Sequence, residues 1–325
     1  MFVHPEIEAL RSNLAPQRLD QARLDSALGQ WRAESPATAI EGEMQRFARG
    51  EALARLPQLR ALFTCGDTAA HSLVDRLFGA FLTGLHANPL GQVPLRQQSD
   101  GTVASVVIAS TGAAVLLVQA LDGNGLRRRA QALTASFSSG ETWEHVLSGS
   151  ADAELVRISG SRPGGVELDR SPCKLSAGMV NFRDGARETL RLLAVPASLV
   201  TLKLQRRMVQ DAVACEYRLA DGTLVHQAAG SSRESRLELA AALLGRMGRS
   251  DAAPLLAAMV EERGSQSLRW QALRECLGLD TALGFSALCR IAARTGDPLA
   301  AQAGALRGQL LETYPQLKEL AECHV

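Results

Sequence analysis

The residues best suited to chemistry lie in SFSSGETWEHVLSG, residues 136–149, where His145 stands beside Trp143 and Glu144. An imidazole on a strand can ligate a metal, shuttle a proton or occupy a polar niche in a core. Strand alternation puts Trp143, His145 and Leu147 on one face and Thr142, Glu144 and Val146 on the other. His145 therefore shares its face with two large apolar residues, which favours a hydrogen-bonded, partly buried histidine. A polar contact in a ligand pocket is the alternative, and a metal ligand is the third choice. Arg187 and Glu188 are polar candidates that could reach into such a pocket. His226, in GTLVHQAAG, would approach His145 only if the last strand returned beside that face. His71 and His86 lie 15 residues apart, unlike the i, i+4 pair that holds zinc on a helix, so surface or helix-end positions suit them better.

Other catalytic patterns are missing from the sequence. It contains no G-x-S-x-G elbow, no G-x-x-x-x-G-K-[ST] loop and no G-x-G-x-x-G after a strand. Gly123-Asn124-Gly125 reads as a turn with no phosphate-binding helix behind it. The six cysteines, Cys65, Cys173, Cys215, Cys276, Cys289 and Cys323, form no C-x-x-C pair, which argues against a zinc ribbon or a redox dithiol. Cys173, after Pro172, could be a reactive thiol, although an incidental cysteine is the commoner case. Glu261 and Glu262 read as a solvated helix surface. Scattered cysteines and the lack of a secretory pattern in MFVHPEIEALRSNL lead us to expect a reducing cytoplasm and free thiols.

With 35 Lys+Arg against 34 Asp+Glu, the formal charge is +1. That balance supplies no general field for nucleic acid or an anionic membrane. A nucleic-acid role through Arg127–Arg129, Arg206 and Arg207 is the weakest of the readings. Residues 103–121, VASVVIASTGAAVLLVQAL, are uncharged and nearly long enough to span a bilayer. Ser110-Thr111-Gly112 interrupts them and β-branched residues flank the break, so a hairpin fits better than a membrane helix.

Three regions must position these groups. Residues 1–90 are rich in helix formers, with Pro16 and Pro36 as starts or breaks. Leu73, Leu77, Phe81 and Leu85 form an apolar stripe at four-residue steps. Residues 91–230 hold short β-rich runs between dense Gly-containing turns. Strands are expected at 103–109, 113–121, 131–137, 142–147, 153–158, 179–182, 189–194, 199–205, 213–219 and 223–227, which argues an antiparallel barrel or sandwich. Residues 231–325 are helical again, after a short linker at residues 230–232. Starts are expected at Ser250/Asp251, at Asp280 and at Asp297-Pro298, and stops at Gly248, Gly264 and Gly296. Ala240, Ala272 and Ala303 recur at a period typical of stacked helical repeats.

AAALLGRMG and LRWQAL resemble the first helix of HEAT-type repeats, with Arg269 at the buried polar anchor; DPLAAQAGAL is similar but carries Ala300 there. This resemblance covers about the last ninety residues and implies a curved helical stack that binds a partner protein. The middle region resembles a cupin-like barrel. SFSSGETWEHVLSGSADAELVRI is similar to the strand pair that ends in a V-L-x-G turn, at Val146-Leu147-Ser148-Gly149. CKLSAGMVNFRDGARETLRLLAVPASLVTLKL is similar to the later strands, with Ser176-Ala177-Gly178 at the P-x-G turn. Metal-binding cupins place two histidines and a glutamate in the first motif and a histidine in the second. Counted back from Gly149, these positions fall around Ser136 to Ser138, at Thr142 beside Glu141, and near Asn181. The resemblance therefore implies a barrel that lacks most of its metal ligands.

The expectation is an α+β protein: a helical N-terminal segment (1–90), a metal-free cupin-like barrel (91–230) and a HEAT-like α-solenoid (231–325). The expected role is a non-enzymatic scaffold, accessory or sensory protein that binds a partner through its helical repeats. The barrel would pair with a second copy as a homodimer or hold a small-molecule ligand near Trp143, His145, Arg187 and His226, without a cofactor, nucleic acid or membrane. A cupin-like isomerase, hydrolase or oxygenase acting on a small molecule is the alternative.

Overall fold

The computed structural model describes residues 13–207, 213–228, 232–262 and 265–318, which divide into two compact units. The first twelve residues of the expected helical N-terminal region, the Gly230-Ser231 linker, the stop at Gly264 and Cys323 lie outside the described residues.

The first unit comprises residues 13–207 with Tyr217–Thr223. It opens with helices α1 (Ala15–Ala33), α2 (Ser35–Ala48), α3 (Pro57–Leu62) and α4 (Ala69–Ala87). Proline sits in the first two positions of α1, α2 and α3, where its missing N–H costs nothing. The expected stripe of α4 is in place: Leu73, Leu77 and Phe81 are buried, joined by Val74.

An antiparallel sheet follows, built from β1 (Gln97–Ser99), β2 (Val103–Thr111), β3 (Ala114–Asp122), β5 (Glu141–Arg162), β6 (Gly165–Ser176), β7 (Val180–Asp184), β8 (Glu188–Ala194) and β9 (Ser198–Arg206), with β4 (Thr134–Phe137) alongside β8. The strand order is β1-β2-β3-β9-β5-β6, and β7 and β8 also pair with β5. Residues 103–121 form the expected hairpin, turning at Gly112 between Thr111 and Ala114. No helix among the described residues is long and apolar enough to cross a membrane.

β5 is the fold line of this sheet. The expected strands at 142–147 and 153–158 are parts of one 22-residue strand. Its first half pairs with β9 and β7, its second half with β6 and β8. Between the halves, Gly149 has φ 87°, and a Cβ there would lie 1.9 Å from the Ser198 carbonyl oxygen. Only glycine combines that backbone geometry with so close an approach, and the register against β9 shifts beside it. The sheet thus folds over an inner core of Leu121, Val146, Ala151, Ala153, Leu175 and Leu199. Its outer face carries the helices: Leu116, Val118, Leu147, Leu202 and Leu204 share a core with Met44, Phe47, Leu62, Leu77 and Phe81.

Some local readings are corrected. β6 is absent from the expected strands because Pro172 and its charged neighbours read as loop. It lies at the end of the strand order, where an edge position tolerates proline. Gly123-Asn124-Gly125 is not a plain turn but opens a six-residue helix, α5 (Gly123–Arg128), whose N-terminal Gly125 N–H donates to the Asp122 carboxylate.

The chain division falls within β10 (Ala214–Arg218), and in the second unit β11 (Leu224–Ala228) precedes helices α6 (Ser232–Arg246), α7 (Ala253–Glu261), α8 (Gln266–Leu279), α9 (Thr281–Ala293) and α10 (Ala300–Thr313). α6 packs on α8, α7 on both α8 and α9, and α10 on α9. Leu256, Val260, Leu273, Cys276, Phe285, Leu288 and Ile291 form the core. Ala272 and Ala303 are fully buried, but the corresponding residue of α6 is Ala241, not the exposed Ala240. Asp280 caps α9, as expected from its position before the apolar run. Ser250 and Asp251 instead lie in a 3-10 turn, and no side chain caps α7. Arg269 is buried and forms a two-pronged ion pair with Asp297, at 3.2 and 2.6 Å, while its Nε donates to the Val260 carbonyl.

Candidate functional site

The two faces of the first half of β5 have different fates. Trp143, His145 and Leu147 point to the helical layer. Trp143 packs against Phe47 and Phe182, at ring separations of 5.5 and 4.6 Å. His145 is 1% exposed, with Nδ1 2.8 Å from the Leu62 carbonyl oxygen at the end of α3. A carbonyl only accepts, so this nitrogen carries the proton. His71, on α4, donates from Nε2 to the Leu147 carbonyl and meets the His145 ring edge-on at 5.8 Å. These two histidines tie the helices to the sheet. Replacing His145 by alanine should cost about 2–3 kcal/mol, since it leaves a cavity and an unsatisfied buried carbonyl. His226→Ala, at an exposed position on β11, should stay within about 0.5 kcal/mol; chemical denaturation compares the two.

Thr142, Glu144 and Val146 point into the fold of the sheet. Register aligns Thr142 with Arg183 on β7 and Gln205 on β9, and Glu144 with Asn181 and Lys203. One step deeper, Val146 lies opposite Thr201. Glu144 is 3% exposed and accepts from Arg183 at 2.8 Å and from Lys203 at 2.9 Å. Burial alone would raise its pKa, but Lys203 and Arg183 more than offset that and hold the carboxyl below its ordinary range. Asn181 Nδ2 and Thr201 Oγ1 are shielded from solvent and lack a hydrogen-bond partner. The interior is thus apolar around Leu121, Val146 and Leu199 and polar from Thr201 outward.

Above this cluster lies a cavity of about 180 Å³, lined by Ser136, Ser138, Thr142, Arg183, Thr189 and Gln205 among others. The positions that the cupin resemblance assigns to metal ligands converge only in part. Ser136, Ser138 and Thr142 line the cavity and Asn181 faces Glu144. Their chemistry does not fit a metal. Hydroxyls and an amide replace imidazoles, and Glu144 is already engaged by two cations. Glu188, also at the cavity wall, pairs with Arg157 at 2.6 Å. Among the described residues, no group of three His, Cys, Asp or Glu could hold a metal ion.

The other sequence candidates fall elsewhere. Arg187 is exposed in the turn between β7 and β8, where its backbone N–H donates to Asp184. His226 belongs to the second unit, at an exposed position. Arg206 is buried, paired with Glu141 and bonded to the Phe47 and Glu51 carbonyls. Arg127 bonds to Val195 and Asn124, and Arg129 pairs with Asp100 at 2.7 Å. Burial pushes the Cys173 thiol up, away from reactivity at neutral pH. Glu144, Arg183, Lys203 and Thr201 were not among the candidates, and Asn181 entered only as the place of a missing ligand. Their signal is the polar alternation of T-x-E, N-x-R and K-x-Q on three strands.

No protein-family model matches the chain, and no curated protein matches it. Solved structures similar to it include a cupin superfamily protein from Desulfitobacterium hafniense, at 12% identity over 35% of this chain and 84% of that one, with a TM-score of 0.24. KdgF from Halomonas is 18% identical over 35% and 87% of the two chains, with a TM-score of 0.23. An RmlC-like cupin from Shewanella frigidimarina is 10% identical over 35% and 86%, also with a TM-score of 0.23. The structures similar to this chain are thus cupin-fold proteins, matched over about 35% of it, and no chemistry is carried over from them.

Proposed function

We propose that this chain is a non-enzymatic accessory or sensory protein that binds a small molecule in the polar end of its folded sheet, without a metal. The observation that carries this is the hydroxyl-lined cavity above the Glu144, Arg183 and Lys203 cluster. A general base must be available near neutral pH. Glu144 is held in its ionised form by two cations, which suits binding and fixed electrostatics more than proton transfer. In the same proposal, the helices of the second unit are a HEAT-like stack that binds a partner protein; the packing of α6 on α8 and the buried Arg269 anchor support it.

Thr142→Phe should fill the cavity while sparing the charged cluster. Native mass spectrometry of the whole chain, gently purified from its cells, should show a non-covalent small-molecule adduct that the variant lacks. Identical spectra for the two proteins would overturn the ligand reading. A stoichiometric iron, manganese or zinc ion by elemental mass spectrometry would overturn the metal-free part of it.

A further inference from the structure

We infer that the molecule this cavity takes is a small carboxylate anion, seated on the guanidinium of Arg183. The inference rests on the ligand-cavity reading above and names its ligand class. Its first support is charge. Arg183 and Lys203, with side chains 11% and 18% exposed, share the single carboxylate of Glu144. The rim carboxylate Glu188 is balanced by Arg157. The interior therefore holds one positive charge more than its own anions neutralise, in a region where an unmatched charge is costly. A monoanion matches this excess, whereas a phosphate dianion exceeds it.

The second support is the count of donors. Arg183 both lines the cavity and donates from Nη2 to Glu144. A guanidinium carries five N–H groups in a planar fork that suits the two oxygens of a carboxylate. Beneath it, the Asn181 Nδ2 and the Thr201 Oγ1 have no partner, and Thr201 is fully buried on the face that looks inward. They lie under the cationic centre, and the cavity wall itself offers the Arg183 fork to an incoming oxygen acceptor. The third support is size and lining. About 180 Å³ is well below the ~300 Å³ at which drug-sized sites begin. The hydroxyls of Ser136, Ser138, Thr142 and Thr189 suit a short, hydroxylated remainder.

Isothermal titration calorimetry on the full chain tests this with acetate and glycolate as probes, and with inorganic phosphate and acetamide as controls at matched ionic strength. Both carboxylates should bind saturably, glycolate the tighter, and acetamide should not. Arg183→Lys keeps the charge but loses the fork and should weaken binding by about tenfold or more. Thr142→Val, which leaves the charged cluster alone, should weaken glycolate by a few-fold and so serves if the arginine variant does not fold. Binding of acetamide as tight as that of acetate, or binding of phosphate alone, would overturn the carboxylate assignment and leave a ligand cavity standing. No heat with any probe, together with native mass spectra that Thr142→Phe leaves unchanged, would overturn both.

Discussion

Replacing Glu144 by alanine should destabilise the first unit by about 3–5 kcal/mol, the cost of stranding buried charges without their partner. Arg183 and Lys203 both depend on this carboxylate, which is 3% exposed. Hydrogen exchange of the β5, β7 and β9 amides reads the loss locally, without assuming that the two units unfold together. The same carboxyl carries a pH signature. Its folded pKa lies below its unfolded value, so its stabilisation is complete above the ordinary glutamate value of about 4.3 and is lost as pH falls through the lower folded value. Glu144→Gln should therefore flatten the acid limb of the stability curve relative to wild type. An unchanged acid limb would mean that the carboxyl is not held ionised.

Arg269→Ala should cost the second unit a similar amount, about 3–5 kcal/mol. Asp297 is 4% exposed, and without Arg269 it would keep only the more distant Arg294, at 3.6 Å, and the Leu299 N–H. The Val260 carbonyl would lose its donor as well. Arg269→Met together with Asp297→Leu should recover much of the loss, because apolar pairs often replace a buried ion pair at little cost. Hydrogen exchange of the α7 and α8 amides distinguishes the two outcomes. Loss of protection confined to the first unit would contradict the assignment.

Much of the fold is legible in the residues. The α4 stripe, the hairpin at Gly112 and the Asp280 cap follow from short-range rules that act within a few residues. Arg269 was legible as a buried anchor from its place in a repeat pattern, though its partner, Asp297, was expected only as a helix start. What escaped depends on contacts distant in sequence. Pro172 suppresses the strand signal of β6, and only its edge position reveals why the proline is tolerated. Gly149 reads as the end of a strand, whereas the approach of Ser198 makes it the point where a single strand folds over.

The site shows the same limit. Alternation separates the His145 face from the Glu144 face correctly, but it cannot say which face meets the helices. The histidine attracts attention as a chemical group, yet helix α3 supplies its acceptor from 83 residues away. The cavity forms on the other face, where the individual residues look ordinary and only the pairing of β5 with β7 and β9 collects them. Counting back from the V-L-x-G turn led to Ser136, Ser138 and Thr142 as ligand positions, and pairing in the fold makes these hydroxyls part of the cavity wall.

The most direct measurement is an NMR titration of the full chain with glycolate, following the side-chain N–H signals of Arg183 and the ring signals of His145 together. A ligand on the Glu144 face should shift Arg183 progressively to saturation and leave His145 in place, bonded to Leu62. Saturating shifts at His145 with Arg183 unmoved would contradict the account and return the working face of β5 to Trp143 and His145.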